Sequence, residues 1–293
     1  MIMKKIKNIF KKFFCRLLIY IFKLNFFTKC KFKKNIKSIV LVIHSFQIGG
    51  AEKQWIYLAN SLSKKFDVTF VSLESKDTHY KYLLNSKIRY FSIDILDNPD
   101  LKIPFLLRVL NKFFFNNFIN ENIRKILPLH YLLKSIDPSL VVSQLDYVNS
   151  IVGIASVINA KKCILSFRSY APYHFDFHDD RYLEIYNFFK KFSNIKYCGN
   201  SKLGNEDYAK WLKINMKKIF LLNNLNFNNS ESCTEVSKNK KFIIFGAFRF
   251  SSEKNPFLFI QIAEKLLKKN NNFIFQIAGT GPLYDDIKKY IHL

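Results

Sequence analysis

Two stretches of the chain repeat one hydrophobic pattern, in which an apolar run is followed by a loop and then by an amphipathic segment. Residues 38–45 (SIVLVIHS) form a continuous apolar run, which is typical of a strand buried on both faces of a parallel sheet, and residues 67–73 form another. Gly49 and Gly50 follow the first run, and apolar residues at positions 55, 58, 59 and 62 then recur with helical spacing. This order predicts a strand–loop–helix–strand unit.

The same pattern recurs towards the C-terminal end of the chain. Residues 241–248 and 273–278 are the predicted strands, residues 256–267 are the predicted helix, and residues 279–282 form a turn. Two separate starts of this kind predict an α/β fold made of two doubly wound, Rossmann-like domains.

The elements in between complete the first predicted domain, residues 35–223. Residues 224–240 are polar, rich in Asn and Ser and without periodicity, so we interpret them as a linker to a second domain, residues 241–293. Only two strands of that domain precede Leu293, and we expect the domain to be truncated there. The further predicted strands are residues 139–144, 163–167, 196–199 and 219–222, and the further predicted helices are residues 147–158, 182–191 and 205–212 together with the Phe- and Leu-rich residues 101–133.

Positive charge is concentrated at the N-terminus. The net charge is +25, twelve Lys or Arg lie between Lys4 and Lys37, and the first acidic residue is Glu52. Apolar residues at positions 10–24 have helical spacing, but basic residues interrupt them, which favours an amphipathic helix at a membrane surface over a spanning helix or a signal peptide. We therefore expect residues 1–34 to bind an anionic membrane, with a helix packed on the protein itself as the alternative. Nucleic-acid binding would rest on charge alone, and we do not expect it.

The cysteines and acidic residues give no sign of a disulfide framework or a metal site. None of the five cysteines has C-x-x-C spacing, and the sequence contains no Asp-x-Asp triplet. We therefore expect reduced, mostly structural thiols in the cytoplasm and no bound metal. The cysteines are Cys15, Cys30, Cys163, Cys198 and Cys233.

Two segments of the sequence resemble the retaining glycosyltransferases of the group 1, or family 4, type. Residues 44–52 (HSFQIGGAE) are similar to the family's GGAE loop. Residues 246–256 (GAFRFSSEKNP), followed by residues 278–283 (AGTGPL), look like its GR…EK and GxGP segments. The resemblance also includes Asn200-Ser201 and Asn223-Asn224, each after a predicted strand, and it extends over residues 38–293.

The resemblance implies the GT-B fold, which consists of two Rossmann-like domains. It also implies transfer of a sugar from a nucleotide-sugar to an acceptor hydroxyl, with retention of the anomeric configuration. The N-terminal domain would bind the acceptor, which we expect to be a glycan or a lipid-linked sugar. The C-terminal domain would bind the nucleotide-sugar, which is a co-substrate, so that no cofactor is implied.

The candidate donor residues follow the two strands of the second predicted domain. Arg249 and Lys254 match the family's donor-diphosphate residues. An arginine fork and a lysine charge would stabilise the negative charge that develops on the leaving diphosphate. Gly279 and Gly281 form the turn after the next strand, and the resemblance implies that they lie beside the donor.

The candidate residues of the first domain also follow predicted strands. Gly49 and Gly50 precede a helix whose N-terminus would offer free N–H groups to a phosphate, and Asn200 fits the family's pattern. The family often carries a histidine near the sugar where this chain has Arg168, so we expect Arg168 to bind a phosphate or an acidic acceptor group, unless it only caps a strand. Glu52 is interpreted as a helix first-turn residue.

These observations favour a glycosyltransferase of cell-envelope polysaccharide synthesis at the cytoplasmic face of the plasma membrane. The family's paired glutamates, which contact the donor, would lie beyond Leu293. The alternative is therefore an inactive, truncated remnant that binds only a membrane or a partner.

Overall fold

The computed structural model describes residues 35–94, 121–175, 181–225 and 241–291. The chain divides into two units, residues 1–227 and residues 228–293. The expectations for residues 1–34, for residues 101–120 and for most of the linker fall outside the described residues.

The first unit is built on one seven-stranded sheet. Its strands are β1 (Ser38–Ile43), β2 (Asp67–Ser72), β3 (Arg89–Ser92), β4 (Leu140–Gln144), β5 (Cys163–Phe167), β6 (Ile195–Gly199) and β7 (Ile219–Leu221). They lie in the order β3-β2-β1-β4-β5-β6-β7, and every pair is parallel. At the seam between β1 and β4, Ile39 pairs with Leu140, and the hydroxyls of Ser38 and Ser139 lie 3.3 Å apart.

Helices cover both faces of this sheet. They are α1 (Gly50–Leu62), α2 (Glu121–Ile136), α3 (Asp146–Ile158), α4 (Arg181–Phe189) and α5 (Lys202–Leu212). Successive residues of β1 pack into two different hydrophobic cores, one on each face of the sheet. Val40 belongs to the core that α3 and α4 help to form, whereas Leu41 packs with Trp55 of α1. This double burial explains the continuous apolar runs in the sequence. No helix in the described part of the chain is both long enough and apolar enough to cross a bilayer.

The parallel sheet with helices on both faces confirms the predicted α/β class. The short edge strand β3 was not predicted. Helix α5 begins at Lys202, three residues earlier than expected, because the Ser201 side chain accepts the Gly204 N–H at 3.1 Å and caps the helix. The described end of the predicted helical stretch is helical and continues to Ile136.

The second unit contains a two-stranded parallel sheet among its described residues. Its elements are β8 (Phe242–Ala247), α6 (Pro256–Lys269), β9 (Phe273–Ala278) and α7 (Tyr284–Ile291), of which α7 was not predicted. Asn255 has a φ of 46°, and its side chain accepts the Leu258 N–H at 3.3 Å, which caps α6. Phe250, Ile260 and Ile287 form a small core.

Cys163 on β5 and Cys198 on β6 are buried and free. Burial raises the pKa of both thiols, that of Cys163 to about 12. Both side chains are therefore protonated at neutral pH, which is the environment of unreactive, structural thiols.

Candidate functional site

Strained backbone lies at the carboxyl end of β4, beside the point where the strand order reverses. Leu145 has a φ of 67° and a ψ of 144°, a conformation that side chains other than glycine rarely adopt. Its N–H donates to the Ser166 carbonyl at 3.1 Å, and its own carbonyl accepts the Asn149 N–H at 2.8 Å. Such strain costs about 1–3 kcal/mol and is concentrated at functional sites. Ligands of open α/β sheets bind at this edge, so we place the candidate site here.

Asp146 holds the strained turn against the core. Its carboxylate oxygens accept hydrogen bonds from the hydroxyls of Tyr186 on α4 and Tyr208 on α5, each at 2.8 Å. Burial raises the pKa of Asp146, and the two hydroxyls oppose that shift because they stabilise the carboxylate. Asn149 Nδ2 also donates to the Tyr186 hydroxyl, at 3.0 Å. The start of α3 is therefore fixed by side chains from two further helices.

Gly49 is the N-cap of α1, and the buried Glu52 lies in the first turn of that helix. A Cβ atom on Gly49 would stand 2.1 Å from Oε2 of Glu52, so the glutamate folds back over the glycine. Gln47 Nε2 donates to the other oxygen of Glu52 at 3.3 Å. The carboxylate thus occupies part of the helix N-terminus, where negative charge is favoured. A phosphate would have to approach beside Gly50, where the described residues leave open space.

Arg168 follows β5 and lies under the chain segment that returns from β7. The guanidinium lies over the Trp55 ring, 5.7 Å from its centroid, and its Nη2 donates to Asn224 Oδ1 at 2.8 Å. Gln54 of α1 holds the next residue: its side-chain amide donates to the Leu225 carbonyl at 3.1 Å and accepts the Leu225 N–H at 2.8 Å. Residues 222–225, here called the return segment, therefore line a small pocket together with α1 and Arg168.

Several buried polar side-chain atoms of this unit have no hydrogen-bond partner among the described residues, and two of the residues that carry them, Trp55 and Arg168, line the pocket. These atoms include Trp55 Nε1, Arg168 Nε, Ser166 Oγ and both amide atoms of Gln144, which is fully buried. Gln144 and Ser166 are paired residues of β4 and β5. Leaving such groups unpaired costs about 1–3 kcal/mol each, so they are suited to bind a polar ligand or ordered water. Burial lowers the pKa of Arg168, while Cys198 and Glu52 oppose the shift.

A second group of charged residues lies where β1 and β2 end. Lys125 of α2, which is buried, donates a hydrogen bond to Glu74, and His44 Nε2 lies 3.4 Å from the same carboxylate oxygen. The Tyr147 ring lies edge-on to His44 and under the Lys125 ammonium. Burial alone would raise the pKa of Glu74, but the bond from Lys125 and the charge of His44 outweigh it and keep that pKa below its ordinary value.

Replacing Glu74 by glutamine is expected to lower the free energy of unfolding by about 1–3 kcal/mol at pH 7, because the Lys125 ammonium would lose its charged partner. Because folding lowers the pKa of Glu74, its contribution is fully present above the unfolded pKa of about 4.3 and is lost as the pH falls through the native value. The difference between the two proteins should therefore narrow below about pH 4. Urea unfolding of both proteins at pH values from about 3 to about 8, on either side of that pKa, measures the difference in their free energies of unfolding.

The matched control for this variant is Asp67→Asn, which breaks the exposed pair with Arg89 at 2.8 Å. Surface pairs of that kind contribute about 0–1 kcal/mol, so this control should change stability little. An equal loss of stability in Glu74→Gln and Asp67→Asn would contradict a stabilising pair of Glu74 and Lys125. A loss in Glu74→Gln that does not change with pH would contradict it as well.

The candidate residues of the second unit lie in the two loops after β8 and β9. Arg249 and Lys254 are both exposed. The Ser251 side chain, and then the charges of Arg249 and Lys254, lower the pKa of Glu253, so both cations act on one carboxylate in this loop. The loop thus carries two cationic side chains and one carboxylate at the carboxyl end of β8.

Close packing between the two loops explains why glycines stand in the second one. A Cβ atom on Gly279 would lie 2.0 Å from the Phe248 carbonyl oxygen. Gly281 has a φ of 151°, and a Cβ there would lie 2.4 Å from the Phe250 carbonyl oxygen. The Phe250 N–H donates to the Thr280 carbonyl at 2.9 Å. The glycines thus hold the loop that carries Arg249, and a direct contact with a ligand stays a prediction.

The structure places the candidate residues at two sheet edges, one in each unit. Gly49, Gly50, Arg168 and Asn200 lie at the carboxyl edge of the seven-stranded sheet. Sequence reasoning missed Gln144, Glu74 and Lys125 as members of this edge. Gln144 and Glu74 could have been found, since each stands where a predicted strand ends, but nothing in the sequence places Lys125 beside Glu74.

Comparison with known proteins identifies the fold class of the chain. No family model matches the chain. A relative from Campylobacter jejuni, the GalNAc-alpha-(1->4)-GalNAc-alpha-(1->3)-diNAcBac-PP-undecaprenol alpha-1,4-N-acetyl-D-galactosaminyltransferase, is 25% identical over 257 residues, which are 85% of this chain and 63% of the relative. The chain thus spans less than two thirds of that relative's length.

Solved glycosyltransferase structures share the fold. Anabaena HepE in complex with UDP superposes with a TM-score of 0.60 at 16% identity, over 88% of this chain and 65% of HepE. The lipopolysaccharide outer core galactosyltransferase WaaB in its apo form gives a TM-score of 0.57 at 13% identity, over 88% of this chain and 64% of WaaB. The chain therefore has the fold of the GT-B glycosyltransferases.

Proposed function

We propose that the protein is a retaining, family 4 type glycosyltransferase that moves a sugar from a nucleotide-sugar to a glycan or lipid-linked acceptor in cell-envelope polysaccharide synthesis. The observation that carries the proposal is the GT-B fold together with basic residues at the carboxyl edge of each unit's sheet. The relative's name describes a transferase acting on a glycan linked to PP-undecaprenol, which supports a lipid-linked acceptor.

The donor diphosphate would bind the second unit through Arg249 and Lys254. The guanidinium supplies a planar fork for two oxygens, and the ammonium supplies a point charge. Both stabilise the charge that grows on the diphosphate as the sugar bond breaks, so the proposal requires no metal ion. The UDP bound in the HepE structure supports a nucleotide site in this fold.

The acceptor would bind the first unit beside Arg168. Trp55, whose indole N–H is unpartnered, lines the same pocket as Arg168. The unpartnered side chains of Gln144 and Ser166 lie near the carboxyl ends of β4 and β5, so both donors and acceptors of hydrogen bonds are available at this edge. A hydroxyl-rich or acidic sugar carries the complementary groups. Gly49, Gly50 and Asn200 lie at the same edge and would approach the sugar or phosphate there.

The experiment that tests the proposal is a panel of nucleotide-sugars incubated with the protein and undecaprenyl-diphosphate-linked glycans. One donor should be consumed faster when an acceptor is present, and NMR of the product should show the donor's anomeric configuration. An inverted product would contradict the retaining assignment. Binding of nucleotide or acceptor with no turnover of any donor would favour the inactive remnant instead.

We further propose that the protein works at the cytoplasmic face of the plasma membrane, held there by residues 1–34. The support is the basic, amphipathic sequence of this segment, in which each Lys or Arg near an anionic leaflet contributes about 1 kcal/mol. Deleting residues 1–34 is expected to release the protein from phosphatidylglycerol-containing liposomes in a sedimentation assay. Equal co-sedimentation of both proteins would contradict a membrane-binding tail.

A further inference from the structure

Three aromatic side chains stand close together in the loop that follows β5 and Arg168. Tyr170 and Tyr173 are 49% and 46% exposed, and the side chain of His174 is 45% exposed. The ring centroids of Tyr173 and His174 are 4.1 Å apart, and those of Tyr170 and His174 are 5.5 Å apart. These three residues are here called the aromatic platform.

Asp207 on α5 holds the aromatic platform in place. The Tyr173 hydroxyl donates to Asp207 Oδ1 at 2.5 Å, and His174 Nε2 lies 3.0 Å from the same oxygen. The other oxygen of Asp207 accepts the N–H of the buried Ala171 at 2.8 Å. Burial alone would raise the pKa of Asp207, but these hydrogen bonds outweigh it and keep that pKa below its ordinary value. Two of the three rings are therefore fixed before any ligand arrives.

Fixed, exposed aromatic rings of this kind suit one class of ligand at this edge of the sheet. A pyranose ring has a face of C–H groups that packs on the negative face of an aromatic ring, and hydroxyls around its rim that stay in water or form hydrogen bonds. Because the rings are already positioned, binding does not have to order them. The aromatic platform begins two residues after Arg168, which the proposed function assigns to the acceptor.

We infer that the aromatic platform of Tyr170, Tyr173 and His174 is a subsite that stacks a pyranose ring of the acceptor glycan, with Asp207 as its positioning residue. This inference rests on the proposed function in taking the ligand to be an acceptor sugar. It adds a chemical class of contact, ring stacking, to the polar contacts around Arg168.

A lipid surface fits the same residues less well. Tyrosines that anchor a protein at a membrane place the ring towards the hydrocarbon and the hydroxyl towards the headgroups. Here the Tyr173 hydroxyl is turned inwards onto Asp207 and is therefore not available to the headgroups. The sugar ligand is therefore favoured.

The test measures the binding of soluble sugars to the full chain without any donor. The probes are the methyl α-glycosides of glucose, galactose, N-acetylglucosamine and N-acetylgalactosamine, and an α-1,4-linked N-acetylgalactosamine disaccharide. Saturation-transfer NMR, with irradiation of the aromatic protons, detects stacking, and a titration gives the Kd. Tyr170→Ala and Tyr173→Ala are each expected to weaken binding of the best probe about 3- to 10-fold.

Matched variants separate stacking from folding. Tyr173→Phe keeps the ring but loses the bond to Asp207, so its Kd should lie between those of the wild type and Tyr173→Ala. Tyr170 has no bond to Asp207 among the hydrogen bonds described, so Tyr170→Ala should leave the fold intact. Tyr82→Ala is the control, because Tyr82 is 78% exposed, in the segment that packs on the C-terminal end of α1. Its Kd should equal that of the wild type.

Three results would overturn the inference. They are no binding of any probe, an unchanged Kd in both Tyr170→Ala and Tyr173→Ala, and loss of liposome binding rather than of sugar binding in these variants. Because no donor is present, the outcome is independent of turnover. A protein that binds sugars through the platform but transfers none would overturn the proposed function and support the subsite.

Discussion

Replacing Arg249 by alanine is expected to lower the turnover of the full-length protein about 100- to 1000-fold. Arg249 follows β8 in an exposed loop, and the close packing of Gly279 and Gly281 holds that loop in place. In the variant, the departing diphosphate would lose the guanidinium, which is always charged and can donate two parallel hydrogen bonds to its oxygens in the transition state. Initial rates of sugar transfer at saturating donor, together with the KM for the donor, measure the effect.

Lys254→Ala should lower turnover in the same assay, by a smaller factor, because an ammonium is a point charge and makes no fork. Lys265→Ala is the matched control, since Lys265 is an exposed lysine of α6 well beyond the loop. Its kinetics should be those of the wild type. Near-normal turnover in both Arg249→Ala and Lys254→Ala would remove the basis for the diphosphate site.

Replacing Trp55 by alanine is expected to lower the free energy of unfolding by about 3–5 kcal/mol. Trp55 is 1% exposed and packs with Leu41 and Phe70 between α1 and the sheet. Its loss leaves a cavity and also removes the ring over which the Arg168 guanidinium lies. Urea unfolding monitored by far-UV circular dichroism measures the change.

Trp55→Phe is the control that keeps an aromatic ring at this position. Trp55→Phe should lower the free energy of unfolding by less than half as much as Trp55→Ala does. Most of the packing volume remains in this variant, and only the indole N–H and part of the ring are lost. A loss below about 1 kcal/mol in Trp55→Ala would show that the side chain is not the packing centre described above.

Sequence reasoning predicted most of the strands, including the edge strand β7, but missed β3 at the other edge of the seven-stranded sheet. The bounds of β5 and β9 are those expected, because each is a mostly apolar run between polar or glycine residues. By contrast, β3 is only Arg89–Ser92, its pattern mixes charged and aromatic residues, and it lies at the edge of the sheet. A four-residue segment of this composition has neither an apolar run nor a clear alternation by which to recognise a strand.

The candidate site could be predicted only where a residue's role depends on its place along a strand. The rule that ligands bind at the carboxyl ends of strands selects Arg168, which follows β5 directly. Arg249 lies two residues beyond the end of β8, and its selection also needed the resemblance to the GR…EK segment. The contact of Lys125 with Glu74 joins residues 51 positions apart, and that of Asp207 with Tyr173 joins residues 34 positions apart. Such pairs are created by the packing of helices on the sheet, and no local pattern encodes them.

The seam between β1 and β4 has a consequence for how the first unit folds. The hydroxyls of Ser38 and Ser139 that meet there are 101 residues apart, whereas β1 and β2 or β4 and β5 are joined by much shorter connections. Closing so long a loop costs entropy before any pairing compensates for it. We therefore expect residues on the two sides of the seam to form local strand–helix units early. The docking of β1 on β4 would then limit the folding rate.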